Sequence, residues 1–146
     1  MFLTSEAPIE AATRTRAILL VIGLTLASAF AACGEGNPIG PSNQPEMANH
    51  PDNFQFQASN LVRTTQTLTY SWTNTASVAN VDQSGRIDSG EATLVLRDAS
   101  GHEVYSRTLL STGTFRSAGG TAGSWRIEVR LTDVTGTVNF RVQRGT

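Results

Sequence analysis

From Phe54 onward, apolar and polar residues alternate one by one along most of the chain. Phe54, Phe56 and Ala58 share one side, with Gln55 and Gln57 opposite. Leu68, Tyr70 and Trp72 alternate with Thr67, Thr69, Ser71 and Thr73. Ala92, Leu94 and Leu96 alternate with Thr93, Val95 and Arg97. Trp125, Ile127, Val129 and Leu131 alternate with Arg126, Glu128 and Arg130, and Val138, Phe140 and Val142 with Asn139 and Arg141. A period of two places successive side chains on opposite faces and predicts half-buried antiparallel strands. Weaker strands are predicted at Ala76–Val81, with a bulge where the apolar parity slips before Val81, and at His102–Leu110 and Gly113–Ser117.

The breaks between these runs repeat a signature. Asp82-Gln83-Ser84-Gly85, Asp98-Ala99-Ser100-Gly101 and Asp133-Val134-Thr135-Gly136 all read as turns. In such turns the Asp side chain caps the backbone and Gly supplies a positive φ. About eight strands punctuated this way predict an all-β domain, an antiparallel jelly-roll-like β-sandwich over residues 54–146. Trp72 and Trp125, each inside an unbroken apolar alternation, belong in its core.

The chain before Phe54 differs. Residues 34–53 hold Pro38, Pro41, Pro45 and Pro51 and no apolar period, which predicts a flexible linker. Upstream, the uncharged run Ala17–Ala32 follows Arg14 and Arg16, the pattern of an export signal. It falls short of the roughly 20 residues of a membrane-spanning helix. The expected order is a signal segment over 1–32, Cys33 with the flexible linker over 33–53, and the β-sandwich over 54–146.

The run ends in Phe30-Ala31-Ala32-Cys33, which resembles the lipobox of bacterial lipoproteins, usually Leu-(Ala/Ser)-(Gly/Ala)-Cys; Phe30 stands in the Leu position. The resemblance implies cleavage before Cys33, acylation of its thiol with a diacylglyceryl group, and a further acyl chain such as palmitate on the new N-terminus. It thus implies a protein anchored to the membrane at the cell envelope. Gly34, where an Asp would tend to retain the protein at the inner membrane, implies an outer-membrane or surface location. The alternative is an ordinary cysteine beside a plain cleavage site. A second likeness lies in Gly123-Ser124-Trp125-Arg126-Ile127-Glu128-Val129 and Gly136-Thr137-Val138-Asn139-Phe140-Arg141-Val142. These are similar to the closing strand, turn and strand of pre-peptidase C-terminal domains. That resemblance implies a non-catalytic accessory module and carries over no catalytic residue.

Charge and composition remove several functions. The formal net charge of −1 leaves no field to attract nucleic acid. A single cysteine allows no internal disulfide, and with two distant histidines it offers no structural zinc set. No Gly-x-Ser-x-Gly surrounds a serine. His102 follows a turn without an accompanying nucleophile, and His50 lies in the expected linker. Asp82, Asp88, Glu91, Asp98, Glu103 and Asp133 stand at or near turns, where carboxylates are usually solvated caps, and no calcium-loop spacing occurs. No cofactor or metal is therefore expected. The candidate binding features are the Thr67, Thr69, Ser71, Thr73 row and Tyr105, whose facing the pattern leaves open, whereas Arg126, Glu128 and Arg130 read as a cross-strand charge ladder that protects a solvent face. The reading is a non-enzymatic envelope module whose partner is an envelope protein or glycan, with an extracellular carbohydrate-binding module as the alternative. Exposed aromatic residues around a groove would favour the sugar.

Overall fold

The computed structural model describes residues 37–146. The signal segment and Cys33 lie outside the described residues. Seven strands follow a single 3₁₀ turn at Pro41–Asn43: β1 (Glu46–His50), β2 (Asn53–Asn74), β3 (Ala79–Gln83), β4 (Arg86–Arg97), β5 (Glu103–Thr108), β6 (Gly113–Arg116) and β7 (Gly123–Arg144). All strand pairings are antiparallel, and the fold is all-β and sandwich-like.

The architecture comes from one long ribbon. β2 and β7 pair from Asn53↔Gln143 to Asn74↔Gly123, with register shifts between Ala58 and Gln66. There the ribbon folds over, so that each strand contributes to two arms. In the first arm, residues 53–58 and 138–144 are flanked by β1 on one side and by β3 and then β6 on the other. In the second, residues 66–74 and 123–131 are followed by β4 and β5. Phe54 and Phe56 from the first arm meet Tyr70 from the second, at centroid separations of 5.2 and 5.9 Å. Trp72 and Trp125 are opposite residues in the second arm and pack edge to face, both about 1% exposed.

Two expected turns are not turns of the expected kind. Asp133–Gly136 lies inside β7, and the strands on either side of it keep β2 as a common partner. Asp133 (φ 53°) and Gly136 (φ 134°) bend the strand without reversing it into a hairpin. Asp82–Gly85 carries the chain from β3 in the first arm to β4, which continues along β7 and takes β5 as its other neighbour. Gly85 is required there by close approach: a Cβ would sit 2.7 Å from the Thr137 carbonyl oxygen. Only Asp98–Gly101 closes a hairpin as expected, with Gly101 at φ 88°.

The expected flexible linker needs correction over its described part. Residues 46–50 form β1, paired with β2 from Glu46↔Gln57 to His50↔Asn53. Pro45 precedes this edge strand and Pro51 opens the turn after it, positions where a missing N–H costs no ladder bond. Further upstream, the chain straps the outer edge of β2 where β1 does not reach. Asn37 bridges to Thr64, and the Ile39 amide donates to Gln66 Oε1 at 2.9 Å. Asn43 is buried and donates through Nδ2 to the carbonyls of Asn60 (2.9 Å) and Ser59 (3.3 Å). Composition misses this order, because it rests on hydrogen bonds to a free strand edge and needs few apolar residues. The domain begins no later than Asn37.

Two predictions follow from this packing. Trp125→Ala removes a fully buried ring and should cost ~3–5 kcal/mol, a large share of the ~5–15 kcal/mol of a domain this size. Urea unfolding that leaves the midpoint unmoved would contradict the core assignment. A fragment of residues 54–146, lacking strap and β1, should melt well below one of residues 37–146. Asn43→Ala in the longer fragment should cost about 1–2 kcal/mol through the hydrogen bonds it loses. Equal melting of the two fragments would remove the strap's structural role.

Candidate functional site

The outer face of the second arm brings the polar residues of four strands into rows. Thr67 is in register with Arg130, Arg130 with Thr93, and Thr93 with Thr108. The next row is Thr69, Glu128, Val95 and Ser106, and the next begins Ser71, Arg126 and Arg97. The threonine row and the charged strand expected from the sequence thus lie side by side, as neighbours in one ladder. The charges pair both along one strand and across two. Arg130 pairs with Glu128 on its own strand, and Arg97 binds Glu103 at 3.0 Å. Arg126 is exposed and forms no ion pair among the described residues. Ser71 and Ser124 join through their hydroxyls at 2.8 Å.

Beside this face, the β4–β5 turn walls a cleft of about 320 Å³, lined by Thr69, Ser71, Ser124, Arg97, Arg126 and Asp98 among others. Asp98 builds the wall. Its Oδ1 accepts from the Ser100 amide (3.0 Å), the Ser100 hydroxyl (2.7 Å) and the His102 amide (2.9 Å). Its Oδ2 accepts from the Thr121 amide at 2.8 Å, which ties the turn to the loop before β7. The Thr121 amide, then the Ser100 hydroxyl and the His102 and Ser100 amides, hold this carboxyl well below its ordinary 3.8, against the opposing effect of desolvation.

These bonds bear on the candidate chemistry. Ser100 Oγ also lies 3.2 Å from His102 Nδ1, so Asp98, Ser100 and His102 come together. The order is wrong for a nucleophile. The serine proton points to Asp98, whereas an activated serine gives its proton to histidine and the carboxylate orients the ring. The other acidic candidates are dispersed. Asp82 accepts from Thr114 Oγ1 (2.6 Å) and Arg141 Nη2 (3.0 Å), Asp133 from Arg63 Nε (2.9 Å), and Asp88 from Arg86 Nε (2.9 Å). Among the described residues, no three His, Cys, Asp or Glu side chains gather at metal-binding distance. His50 ends β1, and its carbonyl accepts from Trp72 Nε1 at 3.2 Å.

Tyr105, left open by the pattern, is buried at 7% exposure opposite Leu96 on the core side. Its hydroxyl has no hydrogen-bond partner among the described residues, and desolvation pushes it up to about 12. The exposed large apolar side chains are Met47, Val62 and Leu110, none of them aromatic.

No protein-family model matches the chain, and no curated protein matches it. The likeness to pre-peptidase C-terminal domains therefore rests on the residues of β7 alone. Its strand–turn–strand form is one bent strand here.

What the sequence missed is the cleft. Thr69 and Ser71 were visible as a row, but Arg97, Ser124 and the Asp98 turn join them only through long-range pairing. The Asp98 network has a pH signature. A depressed folded value stabilises fully above the unfolded value of about 3.8 and is lost as pH falls below it. Asp98→Asn should lower the melting temperature at pH 7 and shrink the gap to wild type as the solution is acidified toward pH ~2. A gap that is constant with pH would deny the carboxylate this role.

Proposed function

We propose that the chain is a lipid-anchored, non-catalytic module of the cell envelope that holds a polar partner on the outer face of the second arm. The observation that carries the binding half is the cleft, whose lining includes Thr69, the mutually bonded Ser71 and Ser124, and Arg126, which forms no ion pair among the described residues. Hydroxyls donate and accept, and a guanidinium donates a planar fork, so the face suits a carboxylate-rich or hydroxyl-rich partner. An acidic segment of another envelope protein fits this chemistry. The carbohydrate alternative has less support, since sugar rings usually dock on exposed aromatic faces, whereas Tyr105 is in the core and the aromatic residues of the cleft are the buried Trp125 and the half-buried Tyr70. The anchoring half rests on the lipobox-like residues Phe30 to Cys33, which follow an export-type apolar run. One acyl chain binds a membrane only marginally, whereas two or more hold it stably.

Each half has its own test. Growth with a labelled fatty acid should mark the wild-type protein and leave Cys33→Ser unmarked; label on the variant would refute anchoring at this cysteine. For the face, amide chemical shifts would be followed while a polyglutamate peptide or polygalacturonate is added. Changes should centre on Thr69, Ser71, Ser124 and Arg126. Arg126→Ala should weaken binding about tenfold, or ~1.4 kcal/mol. Shifts confined to other surfaces would move the binding site elsewhere.

A further inference from the structure

The position at which the folded domain meets its leader limits how it can stand on a membrane. The described chain starts at Asn37, which bridges to Thr64 and donates through Nδ2 to the Val62 carbonyl at 3.1 Å. Both partners lie in the fold-over of β2. The described residues therefore begin at the bend, one end of the sandwich. From Cys33 to Asn37 there are four Cα–Cα steps, which can span at most roughly 14 Å.

The opposite end holds the loops. Along the second arm, β2 runs from Gln66 near the bend to Asn74, eight steps or about 26 Å away. Near Asn74 are Asp52, whose Oδ1 accepts from the Thr75 amide, and the loop 117–122, where the Gly120 amide donates to the Ser77 carbonyl. The Asp98 turn lies there too, through its bond to Thr121. An anchor at Cys33 has a reach about half the length of the arm, so it holds the bend nearer the membrane than these loops.

The bend end fits such a setting. Val62 is 58% exposed on the fold-over itself, and Leu110 is 56% exposed after β5, where the preceding Leu109 amide bonds to Ala92 of the row beside Leu131. Of the charges close by, Arg63 pairs with Asp133 and Arg86 with Asp88, each at 2.9 Å, while the exposed Glu91, opposite Thr132, forms no ion pair among the described residues.

We infer that the β2–β7 bend is the membrane-proximal end of the domain, with Val62 against the lipid headgroups and the cleft beside the Asp98 turn held out toward the aqueous side. This orientation rests on the anchoring at Cys33 proposed above. It gives that anchor a consequence: the partner is met from the side away from the bilayer.

Acylation of Cys33 consumes the chain's only thiol, so an introduced cysteine is the sole labelling site in the mature lipoprotein. Val62→Cys lies at the bend, and Gly119→Cys lies in the far loop, where a Cβ meets open space. Each would carry an environment-sensitive fluorophore in full-length acylated protein, reconstituted into phosphatidylethanolamine–phosphatidylglycerol vesicles with a headgroup-borne quencher. The label at residue 62 should shift to the blue and be quenched severalfold more than that at 119. Inserting a long Gly-Ser spacer between Cys33 and Asn37 should abolish the difference. Equal quenching of the two labels on protein that floats with the vesicles would overturn the orientation and leave the anchor intact. Protein that carries no acyl chain and does not float would overturn both.

Discussion

The fold depends on one constraint: β2 and β7 must bend together and remain paired. A ladder in which only one strand turned would strand the backbone groups of the other, and buried unpaired groups are costly. The two strands meet the constraint with matched irregularities. β2 carries Asn60 (φ 54°) and Arg63 (φ 48°), and β7 carries Asp133 (φ 53°) and Gly136 (φ 134°). Non-glycine residues in this region each cost about 1–2 kcal/mol. The surrounding bonds offset that cost. The Arg63 amide donates to Thr135 Oγ1 at 3.2 Å, and the Asp133 amide to Thr65 Oγ1 at 2.9 Å. Leu61, Thr64 and Val134 are buried beneath the bend, which fixes its inner side. Once the ribbon is folded, its two inner faces necessarily confront each other, and the aromatic cluster of Phe54, Phe56, Tyr70 and Phe140 closes between them.

This constraint explains why the strands were legible and their connections were not. Period two fixes which side chains face the core, and Trp72, Trp125, Ile127, Val129 and Phe140 all fall where alternation puts them. It says nothing about whether a break reverses the chain or bends it. The three Asp-x-(Ser/Thr)-Gly segments make the point, since one closes a hairpin, one crosses between arms and one bends a strand. Local chemistry offers the same capping carboxylate and the same permissive glycine in each. The partner strand decides between the outcomes. Asp98 finds amides of its own turn, whereas Asp133 finds Arg63, seventy positions away in sequence.

The linker and the site fail for a related reason. Residues 37–50 have little to bury, and a count of apolar residues assigns them to solvent. Their order comes from an unpaired strand edge that exists only after β2 has folded over. Asn43 serves it through a side-chain amide that donates where another strand's backbone would have donated. The cleft, too, is an emergent neighbour relation. Its threonine row is contiguous in sequence, but its arginines come from β4 and β7, and its wall from a turn whose carboxylate is saturated by four donors.

The two ends of the sandwich therefore differ in how far they can vary. At the bend, space is exhausted: Gly136 packs on the Arg86 carbonyl, Gly90 on that of Asp133, and Gly85 on that of Thr137. Any side chain added there must displace the backbone of β4 or β7. At the loop end, Gly101 and Gly119 face open space while Gly120 packs against the Asp98 and Val104 side chains, and side-chain caps and backbone bonds together hold the turns. A change at an open position such as Gly119 leaves the ladder intact and costs the fold little. The fold-over is thus fixed by backbone packed on backbone, and the polar cleft lies toward the other end, beside the Asp98 turn.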